Sequence, residues 1–579
     1  MNPKTIISSG LVSVVLLANV SSCSKEAKDS RLSEAPDSKN GISRFELKSL
    51  PSYDEILATK EVFTDKLPWS DTYWPLTKAG MARRWGKISQ APSVMGFSSF
   101  WLDQLDSIQS PTINPMLSPG EKYDLLFRLR WGKGFNEAAI KDEATKLDNV
   151  ERKLVDATDV DGRRAIVKEL ASVFAQSKAL KSWSPMAAEG WDRWLNYNKN
   201  PRYQFMNEED SGDSWDWMGY CHGWAPAALM HEAPKHSVLV KIDDKEILFG
   251  EGDIRGLLTK AWADHAPSAD QYFVGRRCNE NTAEPDGEIP TDGDTRGATG
   301  TFTDSTGQTK TFTMMDEYLP GAAARGRRVY QVMIDKNGAS LYLVEKNVGG
   351  ALSYFLSQDT QKLKIFVETG STAGLNAVKD VKFYGCWDVN PASFHTILVD
   401  YLGKQNSGFV MDRTRTGQVW NQPVYGARFT IGPLLDAAGV DDALFRYRAP
   451  GTTYLSVVTA EVLWSSEPSK PSLDYAPDFD KNRIASIKYT YTLEFDADRR
   501  LIGGEWGDLN TDNTKLIIPD FLYAYRAGAE PKDAISSGFD FTGILKPIHT
   551  CSLSVTDIKT MTVNGKQVDY TECSIALDH

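Results

Sequence analysis

A cysteine at position 221 separates an aromatic loop from a short apolar segment, and it constrains the local fold strongly. The sequence from Trp215 to Leu229 reads WDWMGYCHGWAPAAL, and it predicts a helix that begins near Cys221. Pro226 fits the first turn because amides there have no intrahelical partner. The positive end of a helix favours a thiolate over a thiol. Cys221 is therefore a candidate nucleophile, although a free cysteine is more commonly a buried structural residue.

Length and charge limit the class of protein. A chain of 579 residues is long enough for about two or three domains. Its 65 basic and 77 acidic residues give a net charge of −12, which argues against nucleic acid as a main partner. Sixteen tryptophans and 22 tyrosines indicate either an aromatic-lined binding surface or unusually large core residues.

The first residues are typical of an export signal. Lys4 precedes an apolar run from Ile6 to Val20, and small residues lead into Cys23, as in a lipoprotein cleavage box. We therefore expect a signal peptide over 1–22, lipidation of Cys23, and a membrane attachment through this anchor rather than a transmembrane helix. The expected location is the periplasm or cell surface, as an outer-membrane lipoprotein. The polar segment 23–65 is interpreted as a tether or linker.

The remaining cysteines can be sorted by counting. With Cys23 assigned to the anchor, an odd number remains in an oxidising compartment, so one thiol should be free. Two cysteines flank a predicted hairpin with an Asn-Gly turn, and we expect them to form a disulfide. A second pair is plausible among the others. The expected pairs are Cys551 with Cys573 and Cys278 with Cys386, which leaves Cys221 unpaired.

Patterning along the chain predicts an α+β protein with an N-terminal helical lobe and a C-terminal antiparallel β lobe. The helical region is expected over 66–210, where Ser118 and Glu121 have capping-box spacing. A core region is expected over 211–530, with a loop insertion at 279–311 and a small β appendage at 531–579. The predicted strands are Phe394–Leu402, Gly408–Met411, Thr453–Trp464, Ile484–Phe495 and Leu501–Trp506.

A nucleophilic cysteine needs a base, and the chain has only seven histidines. His222 is adjacent to Cys221, so their side chains diverge on a helix, and the others lie in less suitable contexts. His395, on a predicted strand, is left as the candidate base. Asp412 on the following strand would orient it, as in papain-like thiol enzymes. The alternatives are a packed core histidine and an aspartate that begins a turn.

The sequence resembles a known family in several blocks. Residues 417–426 read GQVWNQPVYG and closely match the Val-Trp-Asn-Gln-Pro-Val segment of the transglutaminase elicitor family. The block around Cys221, the run from Cys386 to His395 and Gly503–Trp506 are also similar to that family. Tyr425 stands where the family segment has arginine, so a recognition property that depends on that charge does not carry over.

This resemblance implies a papain-like Cys, His, Asp enzyme that depends on calcium. Cys221 would form a thioester with a protein-bound glutamine, and a lysine amine would open it to give an isopeptide crosslink, with His395 and Asp412 completing the triad. Trp215 and Trp217 are candidates for a second oxyanion donor beside the amide of Cys221, or for the walls of the acyl pocket that keep water from the thioester. Glutamine- and lysine-bearing proteins are the implied substrates.

Two questions remain open from sequence. Asp478, Asp480 and Asn482 are weak calcium candidates, because Arg483 replaces the glycine of an EF-hand loop and no glutamate closes it. The same triad also serves a cysteine protease or a glutamine deamidase, and an inactive surface-binding protein is a further alternative.

Overall fold

In the computed structural model of the chain, helices dominate the first half and antiparallel sheets the second, so the predicted α+β class is confirmed. The structure describes residues 51–85, 96–157, 159–199, 217–275, 299–317, 327–333, 340–348, 351–384, 389, 391–414, 418–440, 452–468, 471–508 and 517–578. The signal peptide, Cys23, Trp215, Cys278 and Cys386 lie outside these residues. Within them, no helix is long and apolar enough to span a bilayer.

The helical region begins with short elements and continues to residue 199. Its helices are α1 (Tyr53–Ala58), α2 (Phe97–Gln109), α3 (Pro119–Arg130), α4 (Glu137–Glu151), α5 (Lys153–Asp156), α6 (Val160–Gln176), α7 (Lys178–Trp183) and α8 (Pro185–Lys199). The expected capping box is present: Ser118 accepts from the amide of Glu121, whose side chain accepts from the amide of Ser118. These bonds satisfy amides that a helix start leaves unpaired.

Two further helices pack against this region. They are α9 (Cys221–Met230) and α10 (Glu251–His265), and their apolar residues join those of α2 to α4 and α6 to α8 in one continuous hydrophobic core. The expected boundary between the helical region and the core region therefore does not separate two packing units. The cysteine helix is part of the helical core.

A nine-stranded antiparallel sheet forms the centre of the second half. Its strands are β1 (Glu61–Phe63), β4 (Gln271–Gly275), β11 (Phe409–Asp412), β12 (Asn421–Ile431), β13 (Leu435–Asp436), β14 (Tyr454–Ser465), β15 (Ile484–Phe495), β16 (Leu501–Trp506) and β17 (Phe521–Tyr525). The main path runs β16-β15-β14-β12-β11-β17-β4, with β1 paired to β12 and β13 to β14. The predicted strands from residue 408 onward are confirmed.

The two faces of this sheet contact different cores, because side chains alternate along a strand. On β11, Val410 packs into the helical core, whereas Phe409 and Met411 pack into a second core. On β17, Tyr523 belongs to the first core and Leu522 to the second. The sheet therefore lies between the two cores.

The second core is covered by a helix where a strand is expected. Residues Pro391–Thr396 form α12, which continues as a π-helical segment over Ile397–Lys404. The prediction of a strand over Phe394–Leu402 is wrong. A continuous buried apolar run does not show whether its period is that of a helix or a strand, and a proline at the first position suits a helix start.

A separate closed sheet occupies the middle of the chain. Its strands are β5 (Thr299–Thr303), β6 (Thr309–Glu317), β7 (Arg327–Met333), β8 (Ser340–Val348), β9 (Ala351–Ser357) and β10 (Asn376–Tyr384), with α11 (Thr360–Thr369) between the last two. Residues 299–303 and 309–311 of the expected loop insertion therefore belong to strands. Their threonine-rich sequence lacks the alternation that usually identifies strands, yet Phe302 and Phe312 supply buried core residues.

The C-terminal residues are not an appendage. Strands β18 (Lys559–Val563) and β19 (Lys566–Ser574) form the predicted Asn-Gly hairpin, but β19 also pairs in parallel with β2 (Ser237–Ile242), which pairs with β3 (Lys245–Phe249). The helix α13 (Lys546–Ser552) follows a π-helical segment at Phe541–Leu545. The predicted disulfide between Cys551 and Cys573 is present and joins α13 to β19.

The expected tether is folded over its last residues. Tyr53 of α1 packs edge-on against Phe495, and Val62 of β1 pairs with Ala427. The charged side chains of this segment suggest a linker, but Tyr53 and Ile56 are buried in the second core. A tether can therefore extend only over the residues before 51.

Candidate active site

Cys221 is the first residue of α9, as the sequence predicts, but Pro226 is the sixth residue and lies inside the helix rather than in its first turn. The amide of Tyr220 donates to the Tyr73 carbonyl at 2.6 Å, and the amide of Trp224 donates to the Tyr220 carbonyl at 2.8 Å. A Cβ at Gly219 would lie 2.2 Å from the Tyr73 carbonyl oxygen, and one at Gly223 would lie 2.1 Å from the Thr259 carbonyl oxygen. Only glycine permits these approaches, so the loop that presents Cys221 is fixed on both sides.

A buried charge network supports the same loop from the helical region. Lys260 of α10 contacts Glu189 of α8 at 2.6 Å, also pairs with Asp264, and lies 3.4 Å from the Tyr220 hydroxyl. Burial opposes the charge of Lys260, but the two carboxylates outweigh it and raise the pKa of the ammonium. The network therefore stays ionised and anchors the residue before Cys221.

The thiol of Cys221 is enclosed. It is the free cysteine of the described part of the chain and is 4% exposed. Its sulfur lies 3.7 Å from the Val419 carbonyl oxygen, to which the thiol donates, and it accepts from Nδ2 of Asn421 at 3.5 Å. The covering segment, defined as Gln418–Asn421, therefore supplies both an acceptor and a donor to the sulfur.

This environment favours the protonated thiol. Burial raises the pKa of Cys221 to about 11; hydrogen bonds from Asn421 oppose this change, and the charges of Glu467 and Asp412 add to it. Raising a pKa from 9.0 to about 11 takes about 3 kcal/mol. A helix N-terminus supplies about 0.3–1 kcal/mol. Burial thus outweighs the dipole, and the thiol rather than the thiolate is favoured in this conformation.

Asp412 lies on the same face of the sheet as Cys221. It ends β11 directly opposite Asn421, and its side chain alternates with that of Met411. Its Oδ1 accepts from the Trp420 amide at 3.1 Å, and its carbonyl accepts from the Asp520 amide at 3.0 Å. Asp412 therefore fixes the covering segment, a role that the sequence argument did not foresee.

His395 lies on the other face. Its Nδ1 is 2.7 Å from the Tyr491 hydroxyl, and its ring packs against Phe429 with a centroid distance of 5.0 Å. Both neighbours belong to the second core. Nε2 has no hydrogen-bond partner in the described part of the chain. Burial lowers the pKa of the imidazole to about 3, so the ring is neutral.

The structure therefore does not assemble the predicted triad. Cys221 and Asp412 meet at the covering segment, but the sheet lies between them and His395. The sequence argument placed His395 on a strand beside β11, whereas it lies on α12, which packs on the opposite face.

The residue that sequence reasoning missed is Asn421. The Val-Trp-Asn segment indicates a family, but its sequence does not show that Asn421 lies next to Cys221. Because side chains alternate along a strand, Asn421 and the next residue, Gln422, point to opposite faces of the sheet. Gln422 donates through Nε2 to Glu467 at 3.1 Å.

Of the two tryptophan candidates, Trp217 is half-buried just before the loop that presents Cys221.

The calcium candidates have other partners. Asp480 accepts from Arg255 at 2.8 and 3.1 Å and from the Ser70 amide at 2.8 Å. Asp478 pairs with Lys481, and Asn482 donates to the Asp478 carbonyl. No cluster of His, Cys, Asp or Glu suited to a metal ion occurs among the residues that the structure describes. These residues do not fit a calcium ion, because arginine already neutralises the central carboxylate.

Comparison with known families identifies the segment that encloses the thiol. Residues 381–552 match the family described as transglutaminase elicitor. We call this matched part of the chain the transglutaminase elicitor segment. The transglutaminase elicitor segment contains His395, Asp412 and Asn421, whereas Cys221 lies outside it and reaches it through the covering segment. The chain is thus transglutaminase-like, and the expected resemblance is confirmed.

A solved structure is also similar. The crystal structure of the GP42 transglutaminase from Phytophthora sojae aligns over 90% of this chain and 100% of that chain, with 17% sequence identity and a TM-score of 0.43. Comparison with curated proteins gives no match.

Proposed function

We propose that this protein is a thiol acyltransferase that crosslinks protein glutamine to lysine. One observation carries the proposal: a free cysteine at a helix start contacts the transglutaminase elicitor segment through its sulfur. A cysteine fixed in this way by two glycine contacts has the setting of a nucleophile rather than of a space-filling core residue.

The proposed reaction has two steps. The Cys221 sulfur bonds to the side-chain carboxamide carbon of glutamine, the C–N bond breaks, and nitrogen leaves as ammonia after taking a proton. A lysine amine then attacks the thioester carbon, loses a proton, and returns the sulfur as a thiol. The amide of Cys221, the first residue of α9, is the proposed donor to the developing oxyanion.

The first step requires loss of the thiol proton. The Val419 carbonyl accepts the thiol hydrogen bond, but a carbonyl oxygen is not a base. His395 hydrogen-bonds to Tyr491 on the other side of the sheet. We therefore propose that the thiol loses its proton to solvent when the Val419 carbonyl moves away from it while Asn421 stays in place, and that His395 is not the base in this conformation.

Incorporation of a biotinylated primary amine into a glutamine-bearing protein tests the function. We expect wild-type labelling and loss of labelling in Cys221→Ser, with an unchanged melting temperature as the control for folding. Peptide cleavage or ammonia release without labelling would indicate the protease or deamidase alternative. A folded wild-type protein that gives none of these products would contradict the enzyme and leave the surface-binding alternative.

We also propose that the protein is exported and anchored through Cys23. The support is the apolar run after Lys4 and the small residues before Cys23. Expression in a Gram-negative host with labelled palmitate should label the wild type in the outer-membrane fraction. Cys23→Ala should be unlabelled; equal labelling of both forms would contradict the anchor.

A further inference from the structure

Asn421 has a buried side-chain amide whose nitrogen and oxygen differ in their hydrogen bonding. The residue is 4% exposed, and its Nδ2 donates to the sulfur of Cys221. Its Oδ1 has no hydrogen-bond partner in the described part of the chain. A buried acceptor without a donor loses the hydrogen bonds that water would give it. Such an atom beside a reactive sulfur points to a ligand that brings an N–H.

The position of this oxygen limits where the ligand can lie. Oδ1 and Nδ2 are attached to the same carbon, so an N–H that donates to Oδ1 lies next to the atoms that surround the sulfur. Asn421 cannot withdraw easily, because it begins β12 opposite Asp412 and the Trp420 amide is bound to Asp412 Oδ1. The acceptor is therefore held in place before a ligand arrives.

The polarity of the surroundings identifies the ligand class. An acceptor selects a group with an N–H, and the nearby charges of Asp412 and Glu467 are negative, so an anionic ligand would be repelled. A primary carboxamide and a primary amine both carry N–H groups, whereas an ester has no N–H on its leaving oxygen. Sites with a fixed polar group discriminate strongly against analogues that lack the matching group.

We propose that Asn421 recognises the nitrogen of both substrates, with Oδ1 accepting an N–H from the glutamine carboxamide and then from the incoming amine. The proposal rests on the acyltransferase function. Nδ2 meanwhile donates to the sulfur and stabilises its thiolate. When the C–N bond breaks, the nitrogen takes a proton and leaves as ammonia, and Oδ1 is again without a partner. The next primary amine occupies the same acceptor before it attacks the thioester.

A comparison of two acyl donors tests this role. A glutamine peptide and a p-nitrophenyl ester with an unbranched acyl chain both acylate a thiol, but the ester lacks the N–H. In Asn421→Ala we expect kcat/KM for the glutamine peptide to fall at least about tenfold more than kcat/KM for the ester. An equal fall for both donors, or no fall for either, would overturn the proposal.

An isosteric variant distinguishes the role of Oδ1 from that of Nδ2 and keeps the shape of the side chain, which limits misfolding. Asn421→Asp keeps an acceptor oxygen but loses the Nδ2 donor, so it should alkylate more slowly at the thiol and retain the wild-type preference for carboxamide over ester. If its preference falls as far as that of Asn421→Ala, Oδ1 is not the recognising atom. The matched control is Asn136→Asp, at an exposed helix N-cap where Asn and Asp serve equally; it should match the wild type in both assays.

The wild-type rates distinguish failure of the acyltransferase function from failure of the recognition role of Asn421. If it turns over neither donor, the acyltransferase function fails. If it turns over both and Asn421→Ala lowers them equally, the function stands and the recognition role of Asn421 fails.

Discussion

Buried polar residues on the two faces of the nine-stranded sheet have different hydrogen-bond partners. On the face toward the helical core, the Cys221 thiol has a donor and an acceptor from the covering segment, and Asp412 binds the Trp420 amide. On the opposite face, His395 has one bonded nitrogen and one without a partner among the described residues. The first face holds a fixed, chemically organised sulfur, whereas the second holds a neutral histidine in an aromatic core.

A cysteine and a histidine at suitable sequence positions therefore do not necessarily form a catalytic pair. Alternation along β11 sends Val410 to one core and Met411 to the other. Any residue packed on α12 is therefore separated from α9 by the thickness of the sheet. Evidence that His395 acts as the base of the Cys221 thiol would contradict this separation.

The pH dependence of thiol alkylation gives the largest expected effect. Because burial raises the pKa of Cys221 to about 11, the thiolate fraction should rise about tenfold for each pH unit from 7 to 10, about 10³-fold in all. The iodoacetamide rate, followed by mass spectrometry, should show no plateau in this range. In urea the same thiol should titrate near 9, the ordinary value. A plateau below pH 8 in the folded protein would mean that a base activates the sulfur.

Replacement of His395 tests the same separation from the other face of the sheet. The folded-state pKa is about 3 and the ordinary value is 6.5, so the unfolded chain binds a proton that the folded chain does not. Stability from this residue is present above pH 6.5 and is lost as the pH falls toward 3. Between pH 6.5 and 5 the loss is about 2 kcal/mol.

In His395→Gln this loss should disappear, so urea unfolding at the two pH values should show a smaller acid destabilisation than in the wild type. Alkylation of Cys221 in the same variant should change less than about twofold, because the ring is on the opposite face. A tenfold slower alkylation with normal folding would restore His395 as the base.

Local patterns predicted much of this architecture. The alternation in Tyr454–Ser465 and Ile484–Phe495 identified β14 and β15, the Ser118 cap identified α3, and cysteine counting left Cys221 free. Each of these signals depends on neighbours in sequence.

The parts that failed depend on partners far away in the chain. The run after Pro391 is buried on all sides, so no alternation of buried and exposed residues marks it as a helix. The pairing of β19 with β2 joins residues more than three hundred positions apart. The contact between Asn421 and Cys221 arises only when the sheet and the helical core meet, and no local pattern reports it.

Substitution of Asp412 should change the alkylation rate only slightly, but the direction of the change distinguishes this site from a catalytic triad. Its charge raises the pKa of Cys221, although burial is the larger cause. Asp412→Asn removes the charge and keeps an oxygen that accepts from the Trp420 amide, so alkylation at pH 8 should become faster by roughly threefold. A triad in which Asp412 orients a catalytic histidine requires the opposite result, a large loss.

The control is Asp569→Asn, which makes the same change at an exposed carboxylate that accepts from Thr560 and should leave the rate unchanged. A slower reaction in Asp412→Asn, with the control unaffected, would show that Asp412 activates the sulfur rather than holding its cover.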